Sequence, residues 1–511
     1  MEQVGIDDIA VYFPRLYFDM ADFARFRGAD FGKLSRGLGL SAMAIPDAHE
    51  DTATMGANAV CRLIDRNGLD PRRIGRLYLG TESALDGAKP TATYILSMLQ
   101  RRYAGRYGAD CFQHCDVVDM TFACIGAVDA MHNTLDWVAR GGPEQDRVGV
   151  VVFADNAKYE LGSSGEYTQG AGGGAVLLRH RPRLLAIPDL WGVSTEPVHD
   201  FFKPRRSLSP GDIVDSVLQL ARDAGAELPE GLSAQIAARL EDDRPEGLLF
   251  ENARIEVHKD TPVFDGPLSN RCYADSVKRA FSRFRAAAIR AGRYDPDSDE
   301  ILTEQWRRII LHLPYAFQGK RMFPDVFKHD RRGTPQWDAL TAELGDEPVA
   351  EDFSDAAALE AARAAYRRRI SKTDAFRAFV SERIERGQRA SSLIGNQYTG
   401  SIFLALMSAL ESDLQDGNDM AGARIGLCGY GSGAKAKVFE GTVQPGWAEV
   451  VGRFALFSRL AQRTAIDAPV YESLHRGSRR ASVLPPSGEF ALVSIGGDGQ
   501  LEGARRYDWI A

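Results

Sequence analysis

The first 180 residues switch between two hydrophobic periods. Short apolar runs of strand length cover Ile6 to Phe13, Ile74 to Gly80, Val117 to Met120 and Arg147 to Ala154. The last is almost continuously apolar, as a strand buried on both faces is. Gly170 to Leu178 reads as a further strand entered through a glycine-rich turn. Between these runs the spacing becomes helical. Asp51 to Asn67 starts on an Asp/Thr pair and carries apolar residues at helical intervals, and Cys124 to Met131 reads as a helix after a tight turn. Strands alternating with helices predict an α/β protein.

The second half continues the alternation. Ile309 to Leu313 is a strand containing His312, Ser401 to Leu414 an apolar helix, and Arg424 to Tyr430 a strand running into Gly431-Ser432-Gly433. Residues 340–390 are charged and alanine-rich, as surface helices are. The repetition suggests two duplicated halves, 1–185 and 186–511. One stretch interrupts it. Between Pro204 and Glu251, two amphipathic patterns flank the turn Pro229-Glu230-Gly231. The first sets Ile213, Val214, Val217, Leu220 and Ala221 on one face, the second Ile236, Ala237 and Leu240. A helical hairpin inserted over 205–250 is expected, as a surface cap or as a docking or gating element.

Composition narrows the function. At 511 residues, 44% hydrophobic and 26% charged, the chain has the make-up of a soluble globular protein with ample core. Its net charge of -8 argues against a nucleic-acid binder, which wants a basic excess. Six cysteines are few for this length and fit a reducing cytosol. Cys111, His114 and Cys115 lack a second Cys/His pair at finger spacing, so no metal is expected. The start of the chain has no signal-peptide pattern. No apolar run approaches the roughly 20 residues of a membrane span.

Three patches carry chemistry. Cys124 follows an apolar strand and opens a helix, where free amides and the helix dipole favour a thiolate and can hold a thioester oxyanion. A small buried hydrophobe is the plain alternative. Glu82, in Gly80-Thr81-Glu82-Ser83, lies just past a buried strand, where carboxylates are often functional and often only cap a helix. His312 sits in the apolar run Leu311-His312-Leu313-Pro314-Tyr315, as a core histidine or an imidazole aimed at a ligand. Together a thiol, a carboxylate and an imidazole suit Claisen-type bond formation on thioesters. Gly431-Ser432-Gly433 offers backbone amides to a ligand. The segment Asp155 to Tyr159 ends a strand without a specific signal.

In combination and order these motifs resemble the 3-hydroxy-3-methylglutaryl-coenzyme A synthase family of thiolase-fold condensing enzymes. The resemblance also runs through Lys33 to Ala44, Glu50-Asp51-Thr52, Asp86, Gly165 to Gly172, Val198 to Pro204, Asp265 to Ser269 and Gly395 to Thr399. It implies a layered α-β-α-β-α fold and a homodimer. It further implies that Cys124 carries the acetyl group, Glu82 moves the proton and His312 orients the acceptor carbonyl with Asn396. The amides of Cys124 and Ser432 would form the oxyanion hole, with Gly431, Tyr398, Thr168 and Lys320 as further substrate-binding residues. The substrates would be acetyl-CoA and acetoacetyl-CoA, with no metal or organic cofactor. Two features depart from the family pattern: the hairpin, and Phe317 where many members carry a lysine. The second leaves open an acceptor borne on an acyl carrier protein, and an inactive scaffold is a third reading.

Overall fold

The computed structural model describes residues 3–141, 146–240, 255–295, 300–497 and 501–511. Ten strands form its main sheet. They are β1 (Val4–Tyr12), β2 (Ile74–Gly80), β3 (Asp116–Met120), β4 (Val148–Ala157), β5 (Gly170–His180), β6 (Leu185–Ala186), β7 (Trp191–Thr195), β8 (Arg308–Leu311), β9 (Arg424–Gly431) and β10 (Lys435–Val443). The order across the sheet is β8-β9-β10-β6-β1-β5-β4-β2-β3, with β7 on β10. Strand β2 is parallel to β3 and β4, and β8 to β9; the remaining pairs are antiparallel. Residue 185, the expected boundary between halves, lies in β6, which pairs with both β1 and β10.

Period-two alternation divides the first half between two cores. Leu77, Leu79, Val150, Val152, Ala175 and Leu177 join one cluster; Tyr78, Val151, Phe153, Val176 and Leu178 join the other. The first is covered by helix α1 (Thr52–Asn67) and, beside it over β2 and β3, α2 (Thr91–Tyr107). The Asp51 side chain caps α1 in a reciprocal box with Thr54, and Gly68, at φ 55°, ends it. The second cluster is covered by α3 (Gly126–Gly141). On its far side α3 meets β9, where a Cβ on Gly429 would touch Ile125 and Val128. Helix α4 (Gly266–Arg290) covers the outer face of β7, β9 and β10. Helix α6 (Ser401–Gln415), packed on α5 (Glu385–Ile394), lies against β8 and β9. The result is the expected α/β fold, with helices packed on both faces of the main sheet.

Three expectations need correction. Helix α3 begins at Gly126, which leaves Cys124 in the turn before it, and β8 ends at Leu311, one residue short of His312. Helix α5 belongs to the stretch read as surface, yet it buries Gly387, Gln388, Ala390, Ser391 and Ile394. Its small residues let α6 approach closely, and an alanine-rich, charged composition conceals that inner face.

Residues 201–264 form a separate compact unit. Two helices, Pro210–Asp223 and Leu232–Leu240, join antiparallel pairings of Phe201–Phe202 with Val263–Phe264 and of Arg205–Leu208 with Ile255–His258. Residues 241–250 of the expected hairpin lie outside the described residues. The first helix does not bury the expected face: Val217 and Leu220 are 58% and 68% exposed, and Leu218 is buried instead.

Where β2 meets α3 there is no space for a side chain. A Cβ on Gly80 would lie 2.2 Å from the Ala127 amide nitrogen. Gly80→Ala should therefore cost about 1–3 kcal/mol, read as a lowered denaturation midpoint, because backbone rather than a flexible side chain must move.

Candidate active site

The site assembles where β2, β3 and β4 end. Cys124 lies in the turn from β3 into α3, in which Ile125 N donates to Phe122 O at 3.0 Å. Ala123 has φ 38°, a left-handed conformation that residues with a Cβ rarely adopt, so the tertiary frame holds this turn. Gly126 supports it by close approach: a Cβ there would lie 2.5 Å from Met120 O. The thiol is buried, 8% exposed. From the other half of the sheet, Gly431 presses on the same turn, with room for no Cβ against Phe122 O and Ile125 N. Ser432 thus stands next to the Cys124 turn, with its side chain beside Tyr430. Asp200 accepts from the Tyr430 hydroxyl at 3.2 Å and from Gly433 N at 2.8 Å.

Glu82 is held through its backbone. Its amide donates to Asp155 Oδ1 at 2.8 Å, and the Thr81 hydroxyl lies 2.9 Å from the same oxygen. The other oxygen of this fully buried carboxylate receives Thr399 N at 3.1 Å, while the Thr399 hydroxyl reaches Gly80 O. Asp155 therefore ties the Glu82 turn to the loop from Gly395 to Gly400. In that loop Asn396 N donates to Thr168 O at 2.9 Å, and Asn396 Oδ1 accepts from Tyr398 N at 2.8 Å.

Three tyrosines connect the candidate groups. The buried Tyr159 phenol lies beside the side chains of Thr168 and Asn396 and faces Cys124 and Glu82. Tyr398 faces Tyr159, Glu82 and Cys124. Tyr273 senses Cys124, and its hydroxyl donates to His312 O at 2.9 Å. Burial, reinforced by neighbouring negative groups, pushes all three phenols upward, so they remain neutral donors. His312 is 1% exposed, and neither ring nitrogen has a hydrogen-bond partner among the described residues. Its backbone is fixed by His312 N to Cys428 O at 3.0 Å and by Ser401 on Leu313. Burial alone lowers its pKa to about 3. The result is a neutral imidazole with one donor and one acceptor for a ligand.

Among the sequence-expected residues, Cys124, Glu82, His312, Asn396, Tyr398, Thr168, Gly431 and Ser432 fall in this one network. Lys320 is anchored differently. Its ammonium lies 3.4 Å from the centroid of the Phe317 ring, which rests on Gly39, and Phe317 N bonds Leu38 O. Asp155, Tyr159, Tyr273 and Asp200 carry structural weight that the sequence did not single out. For Asp155 and Tyr159 the available signal was position, since α/β sheets place ligands beyond the carboxyl ends of strands. Among the described residues, the two clusters of possible metal ligands, His49/Glu50/Glu489 and His132/Asp136/Asp189, include none of Cys124, Glu82 and His312.

The family model for the N-terminal part of hydroxymethylglutaryl-coenzyme A synthase matches residues 1–182, and that for the C-terminal part residues 254–477. The chain belongs to the hydroxymethylglutaryl-coenzyme A synthase family. A hydroxymethylglutaryl-CoA synthase of Haloferax volcanii is 30% identical over the full length of both chains. That of Enterococcus faecalis is 27% identical, over 92% of this chain and 91% of its own. Among solved structures, MvaS in complex with 3-hydroxy-3-methylglutaryl coenzyme A matches both chains completely, with 28% identity and a TM-score of 0.76. A curacin-pathway HMG synthase with its acetyl donor-ACP, at 19% identity and a TM-score of 0.69, shares the fold. Hydroxymethylglutaryl-coenzyme A synthase family models leave out 183–253, within which most of the separate unit lies.

The lowered pKa of His312 has a checkable sign. A histidine whose folded pKa lies below the ordinary 6.5 contributes stability above that value and loses it as pH falls toward about 3. In protein labelled with nitrogen-15 histidine, the His312 ring resonances should stay those of a neutral imidazole between about pH 5 and pH 8. A titration inside that window would mean that the ring is hydrated and charged.

Proposed function

We propose that this chain condenses acetyl-CoA with acetoacetyl-CoA and hydrolyses the resulting enzyme thioester, releasing HMG-CoA and CoA. The observation that carries this reading is the convergence of Cys124, Glu82 and His312 on the network of Tyr159, Tyr398 and Tyr273. Membership of the family supports it.

Cys124 takes the acetyl group and free CoA leaves. Glu82 removes a methyl proton from acetyl-Cys124, and the carbon attacks the ketone of acetoacetyl-CoA. The neutral His312 ring donates a hydrogen bond to the ketone oxygen, and Glu82 returns the proton to the alkoxide. Asn396 and Thr168 orient the Tyr159 phenol toward the thioester, and Tyr398 adds a second neutral donor. The amides of Cys124 and of Ser432, following Gly431, stabilise the thioester oxyanion. Water then cleaves the Cys124 thioester. These steps balance without a metal or organic cofactor. Lys320, held over Phe317, offers its charge to the acyl carrier's phosphates. We further read the enzyme as a cytoplasmic homodimer. Strand β3, the outermost strand just before Cys124, gives two copies an edge to pair.

The test follows loss of the acetoacetyl-CoA enolate absorbance on adding acetyl-CoA. The parent should consume it, and Cys124→Ser should lose several orders of magnitude in rate. Acetylated Cys124 in the mass spectrum without consumption would move the acceptor to an acyl carrier protein. Failure to acetylate at all would overturn the condensing reading.

A further inference from the structure

A second buried polar cluster lies away from Cys124, where a β-hairpin docks on the core. The hairpin is formed by Glu489–Ile495 and Arg505–Ile510. Polar groups hold it and the segment before it. Val483 N and Leu484 N donate to the Asp47 carboxylate, Asn58 pairs with the backbone of Phe490, Leu492 N donates to His49 O, and Tyr507 and Arg505 meet Asp51.

At the centre, the Tyr12 hydroxyl lies 2.5 Å from Glu50 Oε1 and 2.7 Å from Glu489 Oε2. A phenol has one proton and donates to one carboxylate only. The second short contact therefore requires a proton on a carboxyl group. Glu489 is compensated otherwise: Arg15 lies 3.1 Å away, His49 Nε2 3.6 Å, and Ser487 N donates at 3.3 Å. Among the described residues Glu50 has only the Tyr12 hydroxyl and the Asp47 amide as hydrogen-bond partners; it shares His49 with Glu489 but has no arginine, so the proton is assigned to Glu50. Arg62 of α1 also faces the cluster, with its guanidinium 4.8 Å from the centroid of the Tyr12 ring, and Asp47 faces His49. His49 Nδ1 contacts Ser482. A metal ion fits less well, because all four carboxylate oxygens already have protein partners and only His49 Nε2 has no hydrogen bond.

We propose that the proton shared by Glu50, Tyr12 and Glu489 is a pH-sensitive latch that holds this hairpin on the core, tight while Glu50 is protonated and looser once it ionises.

Burial raises Glu50 from its ordinary 4.5 to about 7, the direction the latch requires. A carboxyl raised in the docked state gives its full stabilisation below about 4.5 and loses it as pH rises through about 7. His49 is also raised when docked: burial opposes this, but Glu489, Glu50 and Asp47 outweigh it, so its proton is lost in the same direction. Glu489 works oppositely. Burial is outweighed by His49, Tyr12 and Arg15, which hold it below the ordinary range, and its contribution fades only in more acid solution. Glu50 also lines a cavity of about 190 Å³ whose wall includes Asn156, Ala157 and Lys158, the strand end that leads to Tyr159. The latch and the catalytic loop thus border one space.

Hydrogen exchange of the full chain, corrected for the intrinsic effect of pH, tests the proposal at the amides of Phe490 and Leu492. From about pH 6 to about pH 8.5 the parent should lose about tenfold in protection. Glu50→Gln, which keeps a donor toward Tyr12 at every pH, should lose most of this dependence and keep only the part due to His49. Tyr12→Phe should be looser throughout but keep the dependence, because Glu50 stays buried. Constant protection in the parent, or the parent's full pH dependence persisting in Glu50→Gln, would overturn the latch. Protection restored at high pH by added zinc or magnesium and removed by a chelator would also overturn it, in favour of a metal site.

Discussion

Asp155 is the constraint on which the site's geometry depends. A carboxylate with no exposure is tolerated only where donors surround it. Here they come from two places distant in sequence, the Thr81–Glu82 turn and Thr399. Satisfying one buried charge therefore fixes where Glu82 lies relative to the loop that carries Asn396 and Tyr398. The same loop fixes Thr168, and through it the Tyr159 hydroxyl. The position of Glu82, the proposed proton carrier, is thus set by another carboxylate, Asp155.

Desolvation shapes the rest of the site. The phenols of Tyr159, Tyr398 and Tyr273 and the imidazole of His312 are all driven to their neutral forms by burial. Neutral donors polarise a carbonyl without introducing a positive charge that would pair with Glu82. They also need no reorganisation as the reaction proceeds, which is the advantage of a site arranged before substrate arrives. Among the described residues neither ring nitrogen of the buried His312 has a hydrogen-bond partner. A native core seldom leaves both without a partner.

Much of this was legible in the chain. Hydrophobic periods located seven of the ten strands of the main sheet, because alternate residues of β2, β4 and β5 serve two cores and both cores demand apolar side chains; β6, β7 and β10 were not located. Cys124, Glu82 and His312 stood out because a thiol, a carboxylate and an imidazole beside buried strands are chemically conspicuous. Asp155 did not, since its value comes from Thr399, more than two hundred residues away. The inner face of α5 stayed hidden because close helix packing uses small residues, which composition does not separate from surface alanine. On the inserted unit, helical spacing chose the stripe with Val217 and Leu220, whereas Leu218 is the residue that is covered. Periodicity ranks faces by apolarity and does not know which face meets a neighbour.

Phe317 shows how one departure from a family pattern reorganises its surroundings. Its ring occupies the space above Gly39, where even a methyl group would meet ring carbons at 2.6 Å. The ring face then receives Lys320, partly desolvated and lowered for that reason, with Glu385 acting in the opposite direction. A lysine at 317 would carry its charge into solvent on a flexible stem. Phenylalanine instead fixes Lys320 by a cation–π contact and ties it to the Leu38–Gly39 segment. The basic group is therefore preorganised. Fewer charges held in fixed places can bind a phosphate as well as more charges that must first be ordered, because the entropy of ordering them is already spent in folding.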